Sequence, residues 1–432
     1  MPIFRTYRLF QQASPSEHRQ GFSNGRWPGI GLIAALPFSS AVLAESGWRD
    51  PHPQRLDGFV DGREFRYNAE SFLHRFSYRQ LSPGPLVGQD GLYGSGGSIT
   101  GDQLYLEANL QKTLYFDNGI YGVIGRMVRR EDFDGRFDRQ MIGVVRRFGD
   151  AWEGRFVADV TGDKGRVDFQ AEVDWNPNER HSLRTAIVMT DQLYNSKSDS
   201  DNRYSQTPMT VFGHYRWSSG DYVADLALNI SPKARYLDQA VNLDVSSEQL
   251  RVAASFSAPL TEQLRTGLDV KVERTDRTYR ELLAPVDLPT NQPFKRRTQQ
   301  VTWSLESHAN PRRWHGGVTY FRFRENGWFG QEFATSGHEW RDEAYVFAGA
   351  RMGIQESSWW EPTVYAGHAD MDRRWSQRPE HNRLEDRWMV KLSTAWRYVV
   401  NRQNGAVLTL NPTFRLHSLS FGGGNIQLHW PL

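Results

Sequence analysis

Long segments of alternating apolar and charged residues, almost no helical periodicity after residue 45 and aromatics at the ends of the apolar faces predict an all-β fold. The architecture they predict is a transmembrane, antiparallel, up-and-down β-barrel. The alternation is sharpest over residues 166–175, where Val167, Phe169, Ala171, Val173 and Trp175 interleave with Arg166, Asp168, Gln170, Glu172 and Asp174. Successive side chains of a strand point to opposite faces, so such a segment has one oily and one charged face. Segments of roughly 10–15 residues exceed the usual ~5–6 of globular sheets and suffice for a tilted membrane span, which needs ~9–11. Trp152, Trp175, Trp217, Trp303, Trp388, Trp396 and Trp430 sit where an interfacial girdle is expected.

The chain begins with an element of another kind. Gly29 to Ala44 (GIGLIAALPFSSAVLA) is the only long apolar run, preceded by Arg5, Arg8, Arg19 and Arg26. It is short for a spanning helix, which needs ~20 residues, and Pro37 interrupts it. In Val42-Leu43-Ala44 before Glu45, the small side chains at the −3 and −1 positions, Val42 and Ala44, fit signal peptidase, so residues 1–44 are expected to be a secretory signal cleaved between Ala44 and Glu45. Its removal takes four Arg and Glu17 from a chain of formal charge +2, leaving about −1, which offers no electrostatic attraction for nucleic acid. Cysteine is absent, which excludes disulfides and thiolate metal sites and suits an exported protein.

Residues 45–70 are expected to form a short periplasmic segment before a barrel at 71–432. Phe72, His74, Phe76 and Tyr78 alternate within 71–79, a first strand or equally a short helix, and the Gly- and Pro-rich 80–101 reads as an outer loop. Strands follow at 102–116, 119–130, 135–148, 151–161, 165–176, 180–193, 206–217, 220–230, 248–258, 261–275, 296–307, 312–325, 340–354, 358–371, 384–399, 404–418 and 423–432. Short links such as Asp117-Asn118-Gly119 and Phe148-Gly149-Asp150 alternate with long ones near 194–205, 231–247, 276–295, 326–339 and 372–383, all on the opposite side. Residues 234–245 alternate weakly. Seventeen segments and the even parity of such barrels predict 18 strands, with 16 as the alternative.

The last segment places Ile426, Leu428, Trp430 and Leu432 on one face and Asn425, Gln427 and His429 on the other. This resembles the terminal signal read by the barrel-assembly machinery, although the final residue is Leu and Pro431 cannot donate to a ladder. The resemblance to outer-membrane β-barrels of the porin kind spans the mature chain and lies in pattern, with no specific family indicated. It implies the outer membrane of a Gram-negative bacterium, with the assembly machinery, membrane lipid and lipopolysaccharide as partners.

With the oily faces toward lipid, the other faces are expected to line a lumen with Arg155, Arg166, Asp168, Glu172, Arg184, Arg216, Arg251, Arg265, Asp269, Lys271, Glu306, Lys391, Arg397 and Arg415. Such charges are tolerated where water or opposite charges meet them. Of the 52 basic residues only seven are Lys; arginine's planar fork pairs bidentately with carboxylates. The same faces therefore read either as a pore ordering small polar or anionic solutes, sugars included, or as ion pairs stiffening the wall.

The acidic strings EDFDGRFD (131–138) and SDSDN (198–202) lack the ligand spacing of an EF-hand. The 12 His show no HExxH, and neither GxSxG nor a phosphate-binding glycine loop occurs. No metal, cofactor or catalysis is expected. The expected activity is passive diffusion of small polar solutes; the alternatives are a barrel secreting an exopolysaccharide or other polymer, and a closed barrel serving as adhesin or anchor. The pattern leaves the oligomeric state open.

Overall fold

The computed structural model describes residues 90–98, 104–132, 135–160, 167–190, 202–206, 209–238, 243–281, 291–307, 312–328, 336–355, 357–375, 383–416 and 418–432. The leader with its Ala44–Glu45 junction, the 45–70 segment, the alternating stretch 71–79, and the SDSDN string up to residue 201 lie outside these residues.

The described residues form one antiparallel sheet of nineteen segments that closes on itself. In order they are β1 (Gly91–Ser98), β2 (Leu104–Tyr115), β3 (Tyr121–Asp132), β4 (Gly135–Phe148), β5 (Trp152–Asp159), β6 (Val167–Asn178), β7 (His181–Thr190), β8 (Asn202–Gln206), β9 (Met209–Ser219) and β10 (Tyr222–Asp238). They continue as β11 (Leu243–Pro259), β12 (Leu264–Glu281), β13 (Asn291–Ser307), β14 (Arg312–Trp328), β15 (Ser336–Gln355), β16 (Ser358–Trp375), β17 (Arg383–Asn401), β18 (Ala406–Arg415) and β19 (Ser420–Pro431). Short β8 pairs with the far half of β10, through Asn202↔Asp238 and Gln206↔Arg235, while β9 pairs with the near half and with β7. β8 and β9 thus make one stave, separated by Thr207 and Pro208, and the barrel has 18 staves. At the same level β10 has an irregularity between Ser231 and Ala234, where Pro232 cannot donate to the ladder.

All seventeen segments expected from alternation are strands. The closing strand is elsewhere than expected: β1 lies inside the stretch 80–101 that reads as a loop, and it pairs with β19 from Gly91↔Pro431 to Ser98↔Gly424 and with β2 from Gly91↔Gln111 to Ser98↔Leu104. Its sequence, GLYGSGGS, has too few side chains to show alternation. The expected long loops at 231–247, 276–295, 326–339 and 372–383 are also corrected, because strands run deep into them. β10 to β17 span 17–20 residues each, whereas β1 to β7 span 8–14. At ~3.3 Å per residue, one side of the barrel rises well above the other. Within the EDFDGRFD stretch, Asp132 at the end of β3 pairs with Gly135 at the start of β4.

Local chemistry sets the short-turn end. Asn118 Oδ1 accepts from the Ile120 amide at 2.9 Å, and Asn178 Oδ1 accepts from the Arg180 amide at 2.9 Å. These side-chain caps satisfy amides that leave the ladder. Gly119 follows with φ of 65°, a left-handed conformation that a Cβ would disfavour. Both described chain ends lie here: the Leu432 amide donates to the Asp90 carbonyl, and Asp90 Oδ2 accepts from the Thr113 amide near the β2–β3 turn.

Burial separates the two faces. The outer face exposes Val144, Phe156, Leu268, Val301, Trp303, Val318, Val346 and Ile426, whereas the inner face buries Asn109, Gln111, Arg126, Glu172, Thr275, Thr302, Glu343 and Lys391. Inner side chains can also meet backbone. At Gly367 on β16 an added Cβ would overlap Tyr345 and lie 2.5 Å from the Ala344 carbonyl oxygen, both on β15. Gly367→Ala is expected to cost about 1–3 kcal/mol through overpacking, read as a lower urea midpoint in unfolding followed by heat-modifiable gel mobility.

Candidate functional site

The inner face of β2 to β7 carries a closed ion-pair network. Arg126 on β3 donates to Glu172 Oε1 on β6 at 2.7 Å and to Gln111 Oε1 on β2 at 2.8 and 3.1 Å. From β5, Arg155 reaches Glu172 at 3.2 Å and Asp174 at 2.8 Å, and it also pairs with Glu153. On β7, Arg184 forks onto Asp174, with Nη2 to Oδ2 at 2.8 Å. The Arg126, Arg155, Glu172 and Asp174 side chains are at most 5 % exposed. With Arg147 Nε 3.2 Å from Glu153, four guanidiniums meet three carboxylates here, and Arg184 on Asp174 has the bidentate geometry that favours arginine over lysine. Asp159, opposite Met141 on the same face, makes this wall electrically balanced among its described side chains.

The inner face of β13 to β18 is not. It carries Arg296, Arg313, Arg341, Arg351, Lys391, Arg397 and Arg415 against Glu306, Glu325, Glu339, Glu343 and Glu361. Arg296 pairs with Glu325, Arg341 with Glu343 at 2.9 Å, and Arg351 with Glu361 at 3.0 Å, while Arg397 lies 4.0 Å from the same Glu361 carboxylate. Aromatic faces support the cations: Arg277 lies 4.4 Å from the Phe294 ring centroid and Arg341 5.3 Å from that of Phe321.

Two apolar groups also occupy the inner face. One is Ile124, Met141, Val157, Ala186 and Val188 with Phe212; the other is Tyr345, Ala369 and Met389 with Phe347 and Tyr365. By stave order around the closed sheet they lie about half a turn apart. The second is a ring path: Tyr345–Tyr365 centroids are 6.2 Å apart, Phe347–Tyr365 5.9 Å and His315–Phe347 6.4 Å. His315 Nε2 is held 2.9 Å from Thr363 Oγ1. A track of rings beside Arg351 and Arg397 offers a solute both apolar contact and positive charge.

Among the residues expected to line the lumen, Arg155, Glu172 and Arg184 come together in the balanced network. Arg251 pairs with Glu273 at 2.8 Å. Asp269 and Lys271 share the inner face of β12, and Arg265 sits opposite Glu306 near the short-turn end, donating also to the Asp221 carbonyl. Arg216 lies opposite Asp225, and Lys391 lies opposite Arg415 with Arg397 further along β17. Arg166 and the side chain of Asp168 lie outside the described residues. Sequence reasoning missed Arg126, Arg277, Arg296, Arg341 and Arg351, and it missed both apolar groups. Arg277 and Glu339 fell in expected loops, and Ile124 sits in the run Val123-Ile124, apolar on both faces. Continued period-2 spacing through Glu339, Arg341 and Glu343 was the signal available.

No protein-family model matches the sequence, and no curated protein resembles it. Solved structures similar to it include Acinetobacter baumannii OccAB1, at 12 % identity over 82 % of this chain and 99 % of that one with a TM-score of 0.43. A BenF-like porin of Pseudomonas fluorescens matches at 11 % identity over 80 % and 98 % of the two chains, TM-score 0.39. Pseudomonas aeruginosa OccK2 (OpdF) in complex with glucuronate matches at 10 % identity over 80 % and 97 %, TM-score 0.38.

Proposed function

We propose that this chain is an outer-membrane channel for passive diffusion of small polar solutes, with a preference for anions. The observation that carries the proposal is the closed 18-stave barrel with exposed apolar residues outside and charged residues inside. A barrel of this strand number is wide enough to enclose an aqueous path. The balanced network on β2 to β7 stiffens one wall, and the basic surplus on β13 to β18 attracts anions toward the ring track. We thus assign the two roles of the charges, stiffening and ordering solute, to different walls.

Planar-bilayer recording tests this. Steady conductance that rises with salt and is larger for anions than cations is the expected result; a permanently closed barrel, or conductance appearing only after loop deletion, contradicts it. Arg351→Gln with Lys391→Gln should lower the anion-to-cation permeability ratio several-fold, with heat-modifiable mobility verifying that the variant folds. An unchanged ratio would remove the assignment of selectivity to this wall.

A further inference from the structure

The outer face of β12 to β15 changes character along a line that the strand register defines. Val270, Val301, Tyr320 and Ala344 are mutual partners on four consecutive strands and form the last fully uncharged row. The next row toward the long-loop end is Val272, Gln299, Arg322 and Asp342, and the one after it is Arg274, Arg297, Arg324 and Trp340. Directly paired residues on neighbouring strands lie about 4.5–5.5 Å apart at Cα, so three guanidiniums stand side by side. Like charges directly opposite are destabilising, and such a row persists where counter-charge compensates it.

The protein's own counter-charge is partial. Asp276 accepts from Arg274 and from Arg297 Nη2 at 3.0 Å, and Asp342 accepts from Arg324 and from Arg322 Nε at 3.0 Å. Glu248 stands 3.7 Å from Arg274. Lys295, opposite Asp276, adds a fifth cation to the patch. Among the described residues of β12 to β15 with Glu248, five cations thus face three carboxylates, and on β16 Asp370 stands opposite Asp342 and Asp372 opposite Trp340. The four arginine side chains remain 37–52 % exposed, and Arg324 is steadied by the Trp340 ring at 5.4 Å.

We infer that this row is a binding site for the phosphate groups of an outer-leaflet glycolipid. The row lies one step beyond the apolar band, where headgroup phosphates meet a membrane-spanning surface, and guanidinium forks bind phosphate bidentately. Charge surplus, register and height point to the same occupant. The site rests on the membrane placement argued above, which conductance tests separately.

The test uses the full chain folded in detergent, with purified bis-phosphorylated lipid A as probe and retention read by native mass spectrometry. Wild-type protein should retain it at near-equimolar occupancy. The triple variant Arg274→Gln, Arg297→Gln, Arg324→Gln should bind at least tenfold more weakly, since each basic side chain near an anionic surface contributes to attraction. Arg235→Gln, an outer-face arginine outside the row, should bind as wild type does. Dephosphorylated lipid A should bind weakly, and inorganic phosphate at millimolar concentration should fail to displace the lipid. Equal retention by the triple variant, indifference to the lipid phosphates, or displacement by inorganic phosphate would each overturn the site. Heat-modifiable mobility verifies folding of each variant, and Arg297→Gln alone, expected to weaken binding several-fold, replaces the triple variant if that one does not fold. A channel that conducts without retaining lipid would lose this site and keep its proposed function.

Discussion

Glu172→Gln should destabilise the barrel by about 3–5 kcal/mol, because it strips the central acceptor from a network closed to solvent. Arg126 and Arg155 both donate to this carboxylate, and all three side chains are at most 5 % exposed. The neutral amide keeps the shape but leaves Arg155 to Asp174 and Glu153, and Arg126 with the uncharged Gln111 amide oxygen. The cost comes from uncompensated charge rather than from the worth of the pair, since replacing a whole buried pair by apolar residues is often neutral. Arg251→Gln serves as the contrast: its partner Glu273 and its own head are more than 20 % exposed, so water and salt compensate, and about 0–1 kcal/mol is expected. Urea unfolding in lipid vesicles measures both. A Glu172→Gln loss below about 1 kcal/mol would mean that water reaches the network and that the wall is not rigidified by it.

The second large effect concerns the outer face. Leu268→Arg, two rows below the charged boundary and paired with Trp303, should cost about 2–4 kcal/mol in vesicles, the penalty for arginine near the bilayer midplane. Gln299→Arg, in the first row beyond the Val270–Val301–Tyr320 line, should cost only about 0–1 kcal/mol, since that penalty fades toward the interface. Neither substitution touches the inner face. Equal effects at the two positions would show that the row boundary is not a lipid boundary, and with it the exterior of this barrel would need another explanation.

Which elements were legible in the chain follows from what period-2 patterning can encode. β6 was readable because Val167 to Trp175 alternates apolar and polar residues at every step. It also placed Glu172 and Asp174 together on one face, though not their partners Arg126 and Arg155, which come from other strands. β1 was hidden because GLYGSGGS presents few side chains to either environment; its role follows from pairing with both β19 and β2. The upper parts of β12 to β16 were hidden for the opposite reason. Toward the long-loop end both faces are polar, as at Arg274 to Arg277, and alternation of polarity disappears while the ladder continues.

By itself the sequence determined that the chain is a barrel, that seventeen named segments are strands, and which charges share the face opposite the oily one, while it left the even count at 18 or 16. Those properties are local, written in alternation along single strands and in the parity of short and long links. The tertiary structure alone decided which strand closes the barrel, how high β10 to β17 rise, that Arg126, Arg155 and Arg184 converge on two carboxylates, and that an aromatic track stands about half a turn from a second apolar group. Each depends on register between strands distant in sequence. Register comes from the cooperative fit of the whole closed sheet, and no single segment carries it.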